Sequence, residues 1–283
     1  MNQIVACIDG SPLSTAVCDA SCWAAKRLGA PLTLLHALDE NQSGNARDLS
    51  GTLGVDSAQH LLEEIVELEK QRNRIALQHG KQLLQQFRDY ASQSGVQEVQ
   101  QLQRHGDVLE SLKEREQDTR LFVIGRAGQG HENDLNAVGS HVESVVRAVT
   151  RPVLISVGNF TPPSNFMIAY DGRENMQGAI ERTAQSALFK DLPCHLVMVG
   201  DDTPERQDKL SRAAELLRNA GFNVTTNLLY GEIYPALQQY QAEHGIEMTA
   251  IGAYAHSRVR RFFIGSNTTR MIAGSKVPVL VLK

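Results

Sequence analysis

Two acidic turns and two glycine-rich loops hold the residues of this 283-residue chain that could do chemistry. Asp9-Gly10 and Asp171-Gly172 each close an apolar run, residues 4–8 and 166–170. Gly125-Arg126-Ala127-Gly128 through Gly139-Ser140 follows a second kind of run, residues 121–124. Gly252 through Ala255-His256 to Gly265-Ser266-Asn267-Thr268 follows its counterpart, residues 248–251. Glycine lets backbone N–H groups come close to a phosphate. A helix opening at Gly139-Ser140 or Gly265-Ser266 would present unpaired N–H groups and a favourable dipole to an anion. An aspartate at the end of a strand could accept hydrogen bonds from ribose hydroxyls or hold a magnesium ion. The competing reading of each aspartate is a turn residue after a strand. A phosphate-binding P-loop, a GxSxG nucleophile elbow and an HExxH metal helix do not occur in the sequence. With no constellation of base and nucleophile, efficient catalysis is not indicated.

The elements that must position these residues alternate. The continuous apolar run at 4–8 reads as a strand buried on both faces and 121–124 as a strong buried strand; 32–37 and 153–157 read as further strands and 96–102 as a weaker one. Ala16, Ala20, Trp23, Ala24 and Leu28 are spaced as a helix face, which stops at Gly29. The order then recurs: strands at 166–170, 194–199, 248–251 and 277–281, with helices between. Asp9 and Asp171 lie 162 residues apart, whereas Gly106 and Gly231 lie 125 apart, and Gly139 and Gly265, like Pro152 and Pro278, lie 126 apart. The first copy therefore carries an insertion of about 36 residues within 39–92. That stretch begins polar and continues as a long helical pattern over 57–92, striped by Leu61, Leu62, Ile65 and Leu68 and then by Leu83, Leu84, Phe87 and Tyr90. Two packed segments, bent near Gly80, fit this better than a coiled coil, with the Glu and Lys residues on a solvated face. The expected fold is α/β: two repeated doubly wound domains, each a five-stranded, mostly parallel sheet with helices on both faces. They span 1–158 and 166–283, joined by a linker at 159–165 that contains Pro162 and Pro163. In such sheets ligands sit beyond the carboxyl ends of the strands, where the strand order reverses. If the first and fourth strands of each half are neighbours, aspartate and glycine loop face one crevice.

Composition narrows the partners. The chain is 42% hydrophobic with a net charge of −4, which lacks the basic footprint of a nucleic-acid binder. Its beginning does not read as a secretory signal and its apolar runs are too short for a membrane span, so a cytoplasmic protein with no membrane partner is expected. Cys7, Cys18, Cys22 and Cys194 form no CxxC pair and read as small buried hydrophobes in a reduced compartment.

The paired loops carry a resemblance. A nucleotide motif of glycine, two residues, glycine, nine residues, glycine and then Ser or Thr is met nearly twice. Gly252, Ala255, Gly265 and Ser266 keep the spacing with Ala255 in place of the middle glycine; Gly125, Gly128, Gly139 and Ser140 carry one extra residue. With the Asp-Gly turns and the Pro-Val-Leu final strands, the chain resembles a tandem-domain universal stress protein over nearly its whole length. The resemblance implies an adenine nucleotide alpha hydrolase-like, Rossmann-like fold. It implies ATP, with or without Mg2+, held in the second half by Asp171, Val199, Gly252, Ala255, His256, Gly265, Ser266 and Thr268. In the first half the corresponding set is Asp9, Ala37, Gly125, Gly128, Gly139 and Ser140. The expected role is a stress-response sensor or binding module. The alternatives are a nucleotide-free scaffold and a slow magnesium-dependent ATPase working through Asp171. Arg258, Arg260 and Arg261 would favour phosphates in the second loop, while Glu132 and Asp134 oppose them in the first, so the second half is the favoured site. The resemblance further implies that the final strands, 153–157 and 277–281, pair as an intramolecular pseudo-dimer, and it leaves a homodimer open.

Overall fold

The computed structural model describes residues 3–38, 55–127, 140–252 and 266–283, which form ten strands and eight α-helices. The first half runs β1 (Gln3–Cys7), α1 (Ser14–Leu28), β2 (Leu32–Leu38), α2 (Val55–Gln93), β3 (Val99–His105), α3 (Val108–Arg115), β4 (Thr119–Gly125), α4 (Ser140–Ala148) and β5 (Val153–Ser156). The second runs β6 (Phe166–Ala169), α5 (Glu174–Gln185), β7 (Cys194–Val199), α6 (Pro204–Asn219), β8 (Val224–Leu229), α7 (Ile233–Glu243), β9 (Thr249–Gly252), α8 (Ser266–Gly274) and β10 (Val279–Leu282).

All ten strands lie in one sheet, ordered β3-β2-β1-β4-β5-β10-β9-β6-β7-β8. Within each half every pairing is parallel, as βαβ crossovers require. The halves meet in the single antiparallel pair, β5 with β10, in the register Val279 to Ile155, Leu280 to Leu154 and Val281 to Val153. The pseudo-dimer expected of the final strands is thus present within one chain.

Alternation along the strands builds a core on each face. Ile4, Ala6 and Ile8 belong to one cluster, which gathers residues of α1, α2, α5 and α6, and Val5 and Phe122 belong to the other, which gathers residues of α3, α4, α7 and α8. The first core runs across both halves. Trp23 of α1 lies 5.8 Å from Phe160 and 6.5 Å from Phe189, and Phe189 stacks on Phe166 at 4.1 Å. Arg27 of the same helix donates to the carbonyls of Leu188 and Lys190. α1 ends as expected at Gly29, whose φ of 58° is the left-handed cap conformation that glycine adopts without strain.

Two readings of the sequence change. The strand β8 has no continuous apolar run to announce it; with Thr225, Thr226 and Asn227 it is a polar, partly buried edge strand. The long helical pattern is one helix, α2, and among its described side chains the buried ones lie in the second stretch. Leu84 and Ala91 are buried, whereas Leu68 and Ile75 are 65% and 68% exposed. Gly80 marks the point of contact: a Cβ there would run into Gln103 Nε2 and stand 2.6 Å from His36 Cδ2, so the glycine lets the helix close down on β2 and β3.

Candidate functional site

The strand order reverses between β1 and β4 in the first half and between β6 and β9 in the second, since the chain leaves β1 or β6 toward one edge and returns on its other side. Asp9 and Asp171 stand at the carboxyl ends of β1 and β6, beside these reversal points. Both close the same turn. Gly10 and Gly172 have φ values of 80° and 71°, and each aspartate accepts a hydrogen bond from the N–H two residues on, Ser11 at 2.9 Å and Arg173 at 3.0 Å. The reading of each aspartate as a turn residue is met by this geometry. Ile8 N–H donates to Leu35 O and Tyr170 N–H to Val197 O, both at 2.8 Å. That register carries Ala37 and Val199, two residues further along β2 and β7, to the flank of each turn.

The glycines ending β4 and β9 face the same crevice. At Gly125 a Cβ would stand 3.3 Å from Leu13 Cβ, and at Gly252 it would stand 2.6 Å from Met176 Sδ. Each glycine therefore admits an apolar residue from the segment that follows the aspartate, which brings Asp9 with Gly125 and Asp171 with Gly252 into one site per half. α4 and α8 open at Ser140 and Ser266, the positions expected for anion-facing helix starts, and Thr268 lies half-buried in the first turn of α8. Gly128, Gly139, Ala255, His256 and Gly265 lie outside the described residues, as do the loop residues Glu132, Asp134, Arg258, Arg260 and Arg261.

The surroundings of the two turns diverge. In the first half Asp9 Oδ1 also accepts from the Ser14 hydroxyl at 3.0 Å, and Ser14 Oγ accepts from Gly10 N–H at 3.0 Å. Cys7 sits just before this turn; burial and then the neighbouring Asp9 charge push its thiol up to about 12, so it remains protonated and inert. Arg126, next after Gly125, turns away from the crevice: it is 9% exposed and donates to the carbonyls of Ala273 at 3.1 Å and Ser275 at 2.7 Å. A cation at the carboxyl end of α8 satisfies carbonyls that the helix cannot.

The second half instead has cations around its turn. Arg173 Nε lies 3.6 Å from Asp171 Oδ2, with both side chains more than half exposed. Arg206 folds over Gly200, the residue after Val199; a Cβ there would stand 2.6 Å from its Cζ, and Nη1 donates to Asp201 O at 2.9 Å. The stem of Lys209 covers Gly172, with Cδ 3.2 Å from where a Cβ would be, while its ammonium bonds Glu205 at 2.7 Å. Sequence reasoning missed Arg206 and Lys209 because they reach the site from α6, where their spacing reads only as a solvated helix face. It also missed Leu13 and Met176, whose signal lies in the glycines they pack on. Among the described residues, no group of three His, Cys, Asp or Glu side chains is placed to hold a metal ion, and no helix is long and apolar enough to cross a membrane.

The repeated strand order, the paired aspartate turns and the paired glycines have a counterpart among known families. The model of the universal stress protein family matches residues 1–156 and again 164–283. The chain belongs to the universal stress protein family. Over its full length it is similar to a universal stress protein of Synechocystis sp., with 29% identity over 287 residues and all of both chains covered. Among solved structures it is similar to a universal stress protein from Archaeoglobus fulgidus, with a TM-score of 0.73 and 19% identity, covering 100% of this chain and 98% of that one. A functionally unknown protein from Pseudomonas aeruginosa is also similar, at a TM-score of 0.61 and 14% identity, covering 100% and 92%. These two likenesses establish the shared tandem fold, a universal stress protein fold with two copies in one chain.

Proposed function

We propose that this tandem universal stress protein binds an adenine nucleotide, ATP, in the second half and serves as a nucleotide-dependent binding module in a stress response. One observation carries the reading: Asp171, Val199 and Gly252 converge on one crevice at the strand reversal, and that crevice is rimmed by Arg173, Arg206 and Lys209. The Arg173–Asp171 pair is exposed and worth about 0–1 kcal/mol, so an incoming ribose or phosphate can displace it at little cost. α8, opening at Ser266, supplies the helix start at which the phosphates would lie. The first half keeps the turn but its Arg126 serves the joint with α8, which supports a structural role for that copy.

Calorimetry and thermal shift with ATP, ADP and AMP, with and without magnesium, test the reading. Stabilisation by ATP should fall in Asp171→Asn by about 1.4 kcal/mol at saturating nucleotide, the equivalent of a tenfold loss of affinity. Asp9→Ala should leave affinity within about twofold while lowering stability by about 1 kcal/mol, through loss of the hydrogen bonds from Ser11 and Ser14. No stabilisation by any of the nucleotides at millimolar concentration would refute the proposal.

A further inference from the structure

The described part of the insertion that distinguishes the first half, in α2, contains none of the crevice residues named above. Beyond its anchor at Gly80, α2 extends toward its N-terminus as a helix that touches little of the body. Of residues 63–79 only Ile65, Ala76 and Leu77 are half-buried, and the rest are exposed. Two properties of this stretch are unusual together. Ile65, Leu68, Arg72, Ile75 and His79 are spaced alternately by three and four, so they form one stripe of the kind that packs against a second helix. Leu68, Ile75, Ala76 and His79 line a shallow groove along it. The charges are also segregated end to end. Glu63, Glu64, Glu67 and Glu69 fall before the midpoint with no base among them, and Lys70, Arg72, Arg74 and Lys81 fall after it with no acid.

We propose that this stretch of α2 is a self-association surface, where two copies of the chain pair their helices antiparallel about a two-fold axis near Lys70. That arrangement sets Ile65 against Ile75 of the other copy and Leu68 against the aliphatic stem of Arg72. It lays each acidic segment along the basic segment of its mate. A parallel pairing would set acid on acid and base on base, so the charge order selects the antiparallel, isologous dimer. A helix pair of 17 residues a side is about 25 Å long and forms a small interface, so association in the micromolar range is expected. The surface is separate from β5 and β10, which already pair inside one chain, so the dimer would unite four family domains.

Sedimentation of the full chain over about 5–200 µM, a range that brackets micromolar association, tests this. The expected result is a monomer–dimer equilibrium whose mass approaches twice 31.1 kDa and which weakens as salt rises. Leu68→Glu with Ile75→Glu should weaken association about tenfold or more with thermal stability unchanged, since both residues are exposed. A chain with Glu63, Glu64, Glu67 and Glu69 all changed to Lys should not self-associate. Nor should one with Lys70, Arg72 and Arg74 changed to Glu, but an equal mixture of the two should form a dimer. An Ile65→Cys chain mixed with an Ile75→Cys chain should cross-link on mild oxidation, and Ile65→Cys alone should not. A wild-type monomer at the highest concentration would overturn the proposal and leave the face to a different protein. A dimer indifferent to the Leu68 and Ile75 changes, or failure of the charge-swapped chains to pair, would equally overturn it.

Discussion

Asp9 and Asp171 end equivalent strands and close the same turn, yet their neighbours differ in kind. Around Asp9 the partners are the Ser11 backbone N–H and the Ser14 hydroxyl, and the one cation next to the glycine, Arg126, is drawn off to the carbonyls of Ala273 and Ser275. Around Asp171 stand Arg173, Arg206 and Lys209, and the position matching Arg126 is Ala253. Similar backbones thus serve two purposes. The first copy holds the molecule together and the second keeps its charge at the crevice. The difference follows from the antiparallel joint. β5 and β10 set the end of β4 beside the carboxyl end of α8, so a long side chain on the first copy can reach that helix end. The reciprocal reach would require a long residue at 253, where the chain has alanine.

The largest effect should come from removing a side chain that exists in one copy only. Trp23 packs on Phe160 and Phe189 across the joint, and the residue 162 positions later is Gln185, which is exposed. Trp23→Ala should cost about 3–5 kcal/mol, as a large aromatic removed from a packed interior does. Gln185→Ala should stay within about 0.5 kcal/mol. Urea unfolding of both variants checks the contrast, and equal losses would show that the joint does not depend on Trp23.

Arg126→Met comes next. It leaves the carbonyls of Ala273 and Ser275 without their buried donor, at a cost of about 1–3 kcal/mol. Its signature is a loss of stability without ligand. Should stability hold while nucleotide affinity falls, Arg126 would belong to a binding site in the first half and the division of roles between the copies would fail.

Much of this arrangement is legible in the sequence, and the residues show where legibility stops. Runs such as 121–124 and 153–157 are buried on both faces, so they stand out without an alignment. Turn chemistry is equally local: Gly10, Gly29 and Gly172 adopt the left-handed conformations that their Asp-Gly and helix-end contexts require. The edge strand β8 does not stand out, because it is only partly buried and carries Thr225, Thr226 and Asn227. The destination of Arg126 is set by a contact 147–149 residues away and has no local trace. The same holds for Arg206 and Lys209, whose place at the crevice depends on how α6 lies against β6 and β7.

The smallest expected effect is a pH dependence confined to the second copy. His195 occupies in β7 the position that Thr33 occupies in β2. Thr33 bonds the Gln3 side chain at 2.6 Å and does not titrate. His195 Nδ1 lies 2.9 Å from the Tyr240 hydroxyl, which also accepts from Asn227 at 2.7 Å, and His244 stacks on the Tyr240 ring at 3.9 Å. Burial, and then the His244 charge, lower the His195 pKa below its ordinary 6.5. A histidine whose folded pKa is depressed binds fewer protons folded than unfolded below pH 6.5, so stability falls as pH drops through that window and is unaffected above it. Thermal melts at about pH 8 and about pH 5 should therefore show a drop in the wild type that is smaller in His195→Thr, by roughly 1–2 °C in Tm for a chain of this length. Converting Thr33 to His would test the cause. Thr33 is buried, so a histidine there is desolvated in its turn and should add an acid limb to the first copy.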